Sequence, residues 1–194
     1  MSRVFNHRRI LAGGIVAASL LSIAACTEGS DVAPPATGMV NQTLASVIGG
    51  SRDMRGLSGA LSSTGLAMVL DGPGSYTLLA PDSEAFAELD DMAEALAADE
   101  RAPLLAATLR NHMLPGHLTP DTIRDAITAT GGPVEIRTLG SGTMTFDTDG
   151  KELEVTGPDG TTTTLTGNAI EASNGVLLQL DGMAMSVGDA PSAS

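Results

Sequence analysis

Residues 77–89 read TLLAPDSEAFAEL: an apolar run, a proline, an Asp-Ser-Glu cluster, then a new spacing of apolar residues. Thr77–Ala80 has the length and character of a buried strand, and Pro81, which has no N–H to give a ladder, ends it. Asp82 or Ser83 then predicts a helix N-cap, because its side-chain oxygen accepts from the free N–H groups of the first turn. Glu84 suits the positive end of the helix dipole, and Phe86 and Leu89, three apart, share a face. The competing reading makes Ser83 a nucleophile served by His112 and an acid. That chemistry needs a serine presented to an oriented base, and APDSEAF lacks the glycines of a nucleophile elbow. Capping explains the same residues with fewer demands.

The beginning of the chain reads as an export signal. Arg3, His7, Arg8 and Arg9 precede Ile10–Ile23, an uncharged run shorter than the roughly 20 apolar residues a spanning helix needs. The run closes on Ile23-Ala24-Ala25-Cys26, which resembles the bacterial lipobox, whose cysteine carries the lipid as a thioether and becomes the new N-terminus. Arg8-Arg9 hints at twin-arginine export, with flanking residues that fit that motif poorly. Residues 1–25 are therefore read as a lipoprotein signal peptide and Cys26 as the lipidation site. The small, Pro-bearing stretch 26–38 reads as a flexible tether, 39–188 as one domain and 189–194 as a disordered tail. Thr27, in place of an inner-membrane retention Asp, favours the outer membrane or the surface over the periplasmic side.

The formal net charge is −13; removal of 1–25 with its three arginines leaves 7 basic against 23 acidic residues, or −16. Such a surface argues against nucleic acid as a partner and against electrostatic docking on anionic lipid. Membrane attachment would come from the lipid on Cys26. Cys26 is the only cysteine, so no intramolecular disulfide forms and the hydrophobic core alone must hold the domain. With no Trp, one Tyr and three Phe, that core is aliphatic, and the methionines read as packing residues.

Along the domain, helical spacing predicts helices in NQTLASVI (41–48), in MRGLSGALSSTGLAMVL (54–70) as far as about Gly65, from Asp82 to Glu100, and in APLLAATLRNHML (102–114). LTPDTIRDAI (118–127) offers Thr119 as N-cap and Pro120 at the first helical position. After Gly131-Gly132 the period changes to two. VEIRTL, TMTFDT, KELEVT, TTTTLT and NAIEA read as short strands, with Asp149-Gly150 and Asp159-Gly160 as hairpin turns. GVLLQLDGMAM (175–185) reads as a last, central strand entered through a tight Asn174-Gly175 turn, with Asp181 as a structural acceptor at its end. DTDGKELE superficially matches a calcium loop at Asp147, Asp149 and Gly150 but lacks the remaining ligand spacing, so a hairpin is the better reading. His112, on an apolar stripe, reads as a core histidine, and His117 lacks the companions of a metal site.

The order of these pieces resembles a single fasciclin domain. Thr77, Pro81, Asp82 and Phe86 match the family's first box. His112, Pro115 and Gly116 match the Tyr-His and Pro-Gly box, with Asn111 where the family has Tyr. A Thr-Leu and glycine step appears in RTLGSGTMTF (137–146). Asn174-Gly175-Val176 and Leu180-Asp181 match the last box, although Leu178 and Gln179 depart from it and the closing Leu-Pro is missing. The resemblance implies an α+β fold: a wedge-shaped β-sandwich with helices along one side, helix-rich in its first half and strand-rich in its second. It implies a non-catalytic module of adhesion, with no cofactor and no metal, whose partner is a surface or matrix protein or a glycan. The integrin role linked to the Tyr-His region in animals does not carry over to Asn111. A structural or stress-related envelope protein without an adhesive ligand is the second reading, and a hydrolase using Ser83 or His112 the third.

Overall fold

The structure, a computed structural model, describes residues 41–94 and 98–185. The stretches read as a signal peptide (1–25), a tether with Cys26 (26–38) and a tail (189–194) lie outside the described residues. Three short helices come first: α1 (Leu44–Gly50), α2 (Arg55–Ser63) and α3 (Leu66–Asp71). Thr43 caps α1, its hydroxyl accepting from Ser46 N–H. The helix expected to run as far as about Gly65 does end there, at Ser63, and a second one follows it. Gly65, at φ 73°, takes a left-handed conformation that only glycine adopts cheaply, and the chain restarts as α3.

β1 (Tyr76–Pro81) follows, then α4 (Ser83–Glu94) and α5 (Ala98–Asn111). From Ser83 on, the described residues of the helix read from Asp82 to Glu100 fall in α4, as far as Glu94, and in the start of α5, from Ala98. α5 ends at Asn111, and Met113 and Leu114, expected in its last turn, fall in a short strand, β2 (Met113–Pro115), antiparallel to β1. The override is tertiary: Met113 and Leu114 are fully buried on opposite sides of the sheet, which a helix cannot arrange for adjacent residues. α6 (Pro120–Thr130) starts with Thr119 as cap and Pro120 in its first turn, and ends at Gly131 in the left-handed region.

The second half supplies β3 (Val134–Arg137), β4 (Thr143–Thr148), β5 (Leu153–Thr156), β6 (Thr162–Ala172) and β7 (Gly175–Leu180). The strand order is β2-β1-β7-β6-β5-β4-β3, antiparallel except where β1 runs parallel to β7. Leu139 N–H donates to Met113 O at 2.7 Å, so the end of β3 is tied back to β2 and the sheet folds over on itself. TTTTLT and NAIEA, read as separate strands, are one strand that crosses a bulge. The register with β7 shifts between Thr166 and Ile170, leaving Gly167–Ala169 opposite Leu178. Gly167, at φ 71°, makes that bulge feasible.

Two apolar cores result. One lies between the helices and one face of the sheet, with Leu44, Leu61, Leu70, Phe86 and Leu109 against Leu78, Ala80 and Leu177. The other lies inside the folded-over sheet, where Leu79, Val176, Leu178 and Leu180 meet Met144, Phe146, Leu153, Val155 and α6's Ile123 and Ile127. β1 and β7 are buried on both faces, hence their unbroken apolar runs; β4 and β5 alternate because one face is wet. The fold is an α+β one, helix-rich first and strand-rich second.

Candidate functional site

At the opening motif, Asp82 is the cap: its Oδ1 accepts from Ala85 N–H at 2.7 Å. Ser83 is simply the exposed first residue of α4. Pro81 ends β1, paired with Leu180. Phe86 turns into the helical core and lies against α2 at Gly56, where even a methyl group would meet the ring at 2.7 Å. Thr77, fully buried, ties β1 to the Pro-Gly turn. Its hydroxyl donates to Gly116 O and accepts from Leu118 N–H, both at 2.8 Å, while Gly116 N–H donates to Ser75 O and Pro115 pairs with Tyr76.

His112 sits at the joint between α5 and β2 and is 1 % exposed. Its Nδ1 is 2.9 Å from Thr108 O, and Ala184 N–H lies 3.2 Å from its Nε2. A carbonyl accepts only and an amide N–H donates only, so the ring is the neutral tautomer with its proton on Nδ1. Burial pushes its pKa below the ordinary value, against smaller opposing effects of the Thr108 carbonyl and the Asp159 charge. The histidine is a clip between helix α5 and the segment after β7.

Asn111, the departure from the family pattern, is buried beside it. Its Oδ1 accepts from Thr138 Oγ1 and Gly142 N–H, both at 3.0 Å, and so holds the β3–β4 turn. A Cβ on Gly140 would collide with the same oxygen, which explains the glycine of the Thr-Leu-Gly step. Sequence reasoning noted Asn111 as a gap in the motif and missed it as a fastener. The available signal was Thr138 with Gly140 and Gly142, a turn that needs an interior acceptor.

Asn174 does the corresponding work at the other end of the molecule. Its Oδ1 accepts from Leu44 N–H at 2.8 Å, and its Nδ2 donates to Leu70 O at 2.7 Å and Gly72 O at 2.8 Å. One amide thus joins the start of α1, the end of α3 and the β6–β7 turn. Gly175 has no room for a side chain: a Cβ there would collide with Tyr76 O on β1. Asp181 is not the acceptor it was expected to be. Its carboxylate is exposed and makes no hydrogen bond within the described residues, whereas its backbone N–H donates to Thr164 O at 3.0 Å. Asp149 stands in the β4–β5 turn, its Oδ1 accepting from Lys151 and Glu152 N–H, which holds its pKa below the ordinary carboxylate value.

Two depressions lined by described residues are notable on this frame. A groove of about 230 Å³ beside the opening motif is lined by Met54, Leu57, Pro81 and Phe86 with Asp53 and Asp82 at its rim. A larger cleft of about 370 Å³ lies between the first turn of α6 and the bulged part of β6, with Leu165 and Leu178 on its floor and Asp121, Arg124, Glu171 and Gln179 around it. Among the described residues no group of three or more His, Cys, Asp or Glu is placed to hold a metal ion. No described helix is long and apolar enough to cross a membrane.

This is the construction of a small helix-flanked β-sandwich module whose motif residues are joints between its elements. The chain belongs to the fasciclin domain family: the Fasciclin domain profile matches residues 52–186. That family is one of adhesion-related, generally non-catalytic modules. The chain is similar to Protein sll1483 of Synechocystis sp., 26% identical over 156 residues that cover 80% of this chain and 79% of that one. Its fold is similar to a solved FAS1 domain pair from the insect cell adhesion molecule Fasciclin I, with a TM-score of 0.64 and 14% identity. That match covers 77% of this chain and 52% of the domain pair, so the chain spans about half its length.

Proposed function

We propose that this chain is a lipid-anchored module of the bacterial cell envelope, held by Cys26, that binds a surface or matrix protein or glycan in adhesion and performs no catalysis. The observation that carries this reading is the state of His112, the base that the sequence offers for Ser83. Both ring nitrogens are committed, to Thr108 O and Ala184 N–H, and the side chain is buried. A general base must reach the proton it removes. Ser83 stands on an exposed helix start whose acid, Asp82, is engaged in capping. The motif residues with catalytic chemistry hold the fold, which leaves the surface as the working part. Kinship with a family of adhesion modules supports the same reading, as does the insect neighbour's role as a cell adhesion molecule.

A pull-down of envelope proteins and glycans on residues 39–188 tests the binding role, and is expected to return a reproducible partner. A deletion strain should lose attachment or aggregation. Membrane-integrity defects with normal attachment would instead support a structural role. Cys26→Ala should move the protein out of the membrane fraction, and retention there would argue against the lipid. Esterase or glycosidase activity abolished by Ser83→Ala or His112→Ala would overturn the non-catalytic reading.

A further inference from the structure

β6 is the longest strand of the sheet, and its neighbours do not cover it equally. On one side β7 pairs with it from Leu165 to Ala172 around the bulge. On the other side the register with β5 includes only Thr162, Thr163 and Thr164. The hydrogen bonds settle which way the backbone groups point beyond that. Asp181 N–H donates to Thr164 O, and Tyr76 N–H donates to Asn174 O on the β1 side. Backbone groups alternate along a strand, so those of Gly175, Leu177 and Gln179 face β6. Their partners Ala172, Ile170 and Thr166 therefore face β7, and the N–H and C=O of Glu171 point away from the sheet. Among the described residues no strand pairs with β6 there, and the unpaired stretch ends at Glu171, because the next outward group, Ser173 N–H, donates to Gln42 O at 2.8 Å. A bulge bends the strand it interrupts, and this one carries the second half of β6 beyond the end of β5.

An unpaired strand edge is a template for another chain, and proteins usually blunt such edges with charge or shortness. The edge at β3 is blunted: four residues long, it carries Glu135 and Arg137 on its exposed positions. The β6 edge is not. Its exposed residues include Thr166 and Gly167, and only Glu171 is charged. Moreover, it borders the 370 Å³ cleft, whose floor is Leu165 and Leu178. That is the arrangement by which sheets accept an extended peptide: backbone pairing gives affinity, and a pocket takes an alternate side chain.

We propose that the second half of β6 is a docking edge for an extended, net-basic peptide segment, which pairs with the backbone at Glu171 and lays one side chain in the adjoining cleft. The charge of the partner follows from that of the site. Asp121 and Glu171 are exposed carboxylates at the rim. Arg124 is engaged with Asp121 at 3.5 Å, and His117 stands 4.0 Å from Glu171, the outer limit of an ion pair. The chain as a whole carries 23 acidic against 10 basic residues and repels an acidic segment. The inference rests on the reading of this domain as a binding module and gives that module a site.

The test uses the full chain in a mild detergent and a fluorescent peptide of about nine residues that alternates lysine with valine, close to a strand's length. Saturable binding by polarisation is expected, with the Glu171 amide protected from hydrogen exchange. N-methylation of the peptide at alternate residues in one phase should weaken binding about tenfold, while the opposite phase is tolerated, because a strand pairs through one edge only. A glutamate–valine peptide should bind about tenfold more weakly, and Glu171→Lys, a change at an exposed position, should weaken the lysine peptide about fivefold with an unchanged circular dichroism spectrum. Equal binding of both methylated phases, or no protection at Glu171, would overturn the proposal. Concentration-dependent dimers that protect Glu171 without peptide would assign the edge to a second copy of this chain instead. A failed peptide alongside a successful envelope pull-down would remove this site and leave the module's binding role standing; failure of both would remove the role itself.

Discussion

Replacing Asn174 probes how three separate elements are held by one side chain. In Asn174→Ala, Leu44 N–H loses its acceptor at the start of α1, and Leu70 O and Gly72 O lose their donor at the end of α3. A net hydrogen bond is worth about 0.5–1.5 kcal/mol, so three give about 1.5–4.5 kcal/mol. The site is half-buried, and water can reach part of it, which brings the expected loss to about 2–3 kcal/mol, or about 5–10 °C in Tm for a domain of this size. Asn174→Asp is the sharper variant. It keeps the oxygen that serves Leu44 but turns a second oxygen toward two carbonyls, where only a protonated carboxyl can donate. Its folded-state pKa is therefore raised above the ordinary carboxylate value. A raised pKa contributes stability that is fully present below the unfolded value and is lost as pH rises through the folded one. Relative to the parent, Asn174→Asp should be nearest normal at about pH 4 and worse than Asn174→Ala at about pH 7. Urea unfolding followed by circular dichroism at the two pH values measures both, with unchanged m-values confirming that the folded and unfolded states are comparable. A loss below about 0.5 kcal/mol for Asn174→Ala, or a pH-independent difference for Asn174→Asp, would refute this account of the joint.

Other outcomes follow from the same geometry. Phe86→Ala empties the helical core against Gly56 and should cost about 3–5 kcal/mol in the same unfolding assay, whereas Ser83→Ala should change stability by less than about 0.5 kcal/mol. Thr77→Val preserves shape but strands Gly116 O and Leu118 N–H, for an expected loss of about 1–3 kcal/mol and faster exchange of the Leu118 amide. His112 has a folded pKa below its unfolded value, so the unfolded chain takes up the proton first. The stability it contributes is present above about pH 6.5 and is lost as pH falls through its folded pKa. A His112→Gln variant should flatten that part of the pH–stability curve, and an unaltered slope would contradict the neutral clip.

Local chemistry made much of the first half legible. Asp82 and Thr119 cap because a short oxygen-bearing side chain just before a helix has little else to satisfy, and Pro81 ends a strand because it cannot donate. The turns at Asp149-Gly150 and Asp159-Gly160 read true for the same reason: they involve partners two or three residues away. The same local reading failed at Met113 and Leu114. There the apolar spacing fits a helix, and only the need to bury neighbouring residues on opposite sides of a sheet makes it a strand. It failed again at Gly167, where a glycine looked like the end of a strand and was a bulge within a longer one, and although the helix ends before Gly65 as expected, the helix that restarts after it went unread.

The candidate sites divide in the same way. Thr77, Phe86, His112, Asn174 and Gly175 were visible as motif residues, but what they hold was not. Asn111 was visible only as a mismatch, because its value depends on Thr138 and Gly142, 27 and 31 residues away. Asp181 was misread, since its contribution is a backbone N–H that every residue but proline possesses.

From sequence alone came the caps, the strand and hairpin turns, the acidic charge and the family, since each is written in residues a few places apart or in a fixed order of boxes. The tertiary structure alone decided that β1 lies parallel beside β7, that Asn174 reaches back to Leu44, and that β6 outruns β5 beside a cleft. These depend on which distant segments share a core. Side-chain period tells a strand which face to bury, not which strand will lie beside it.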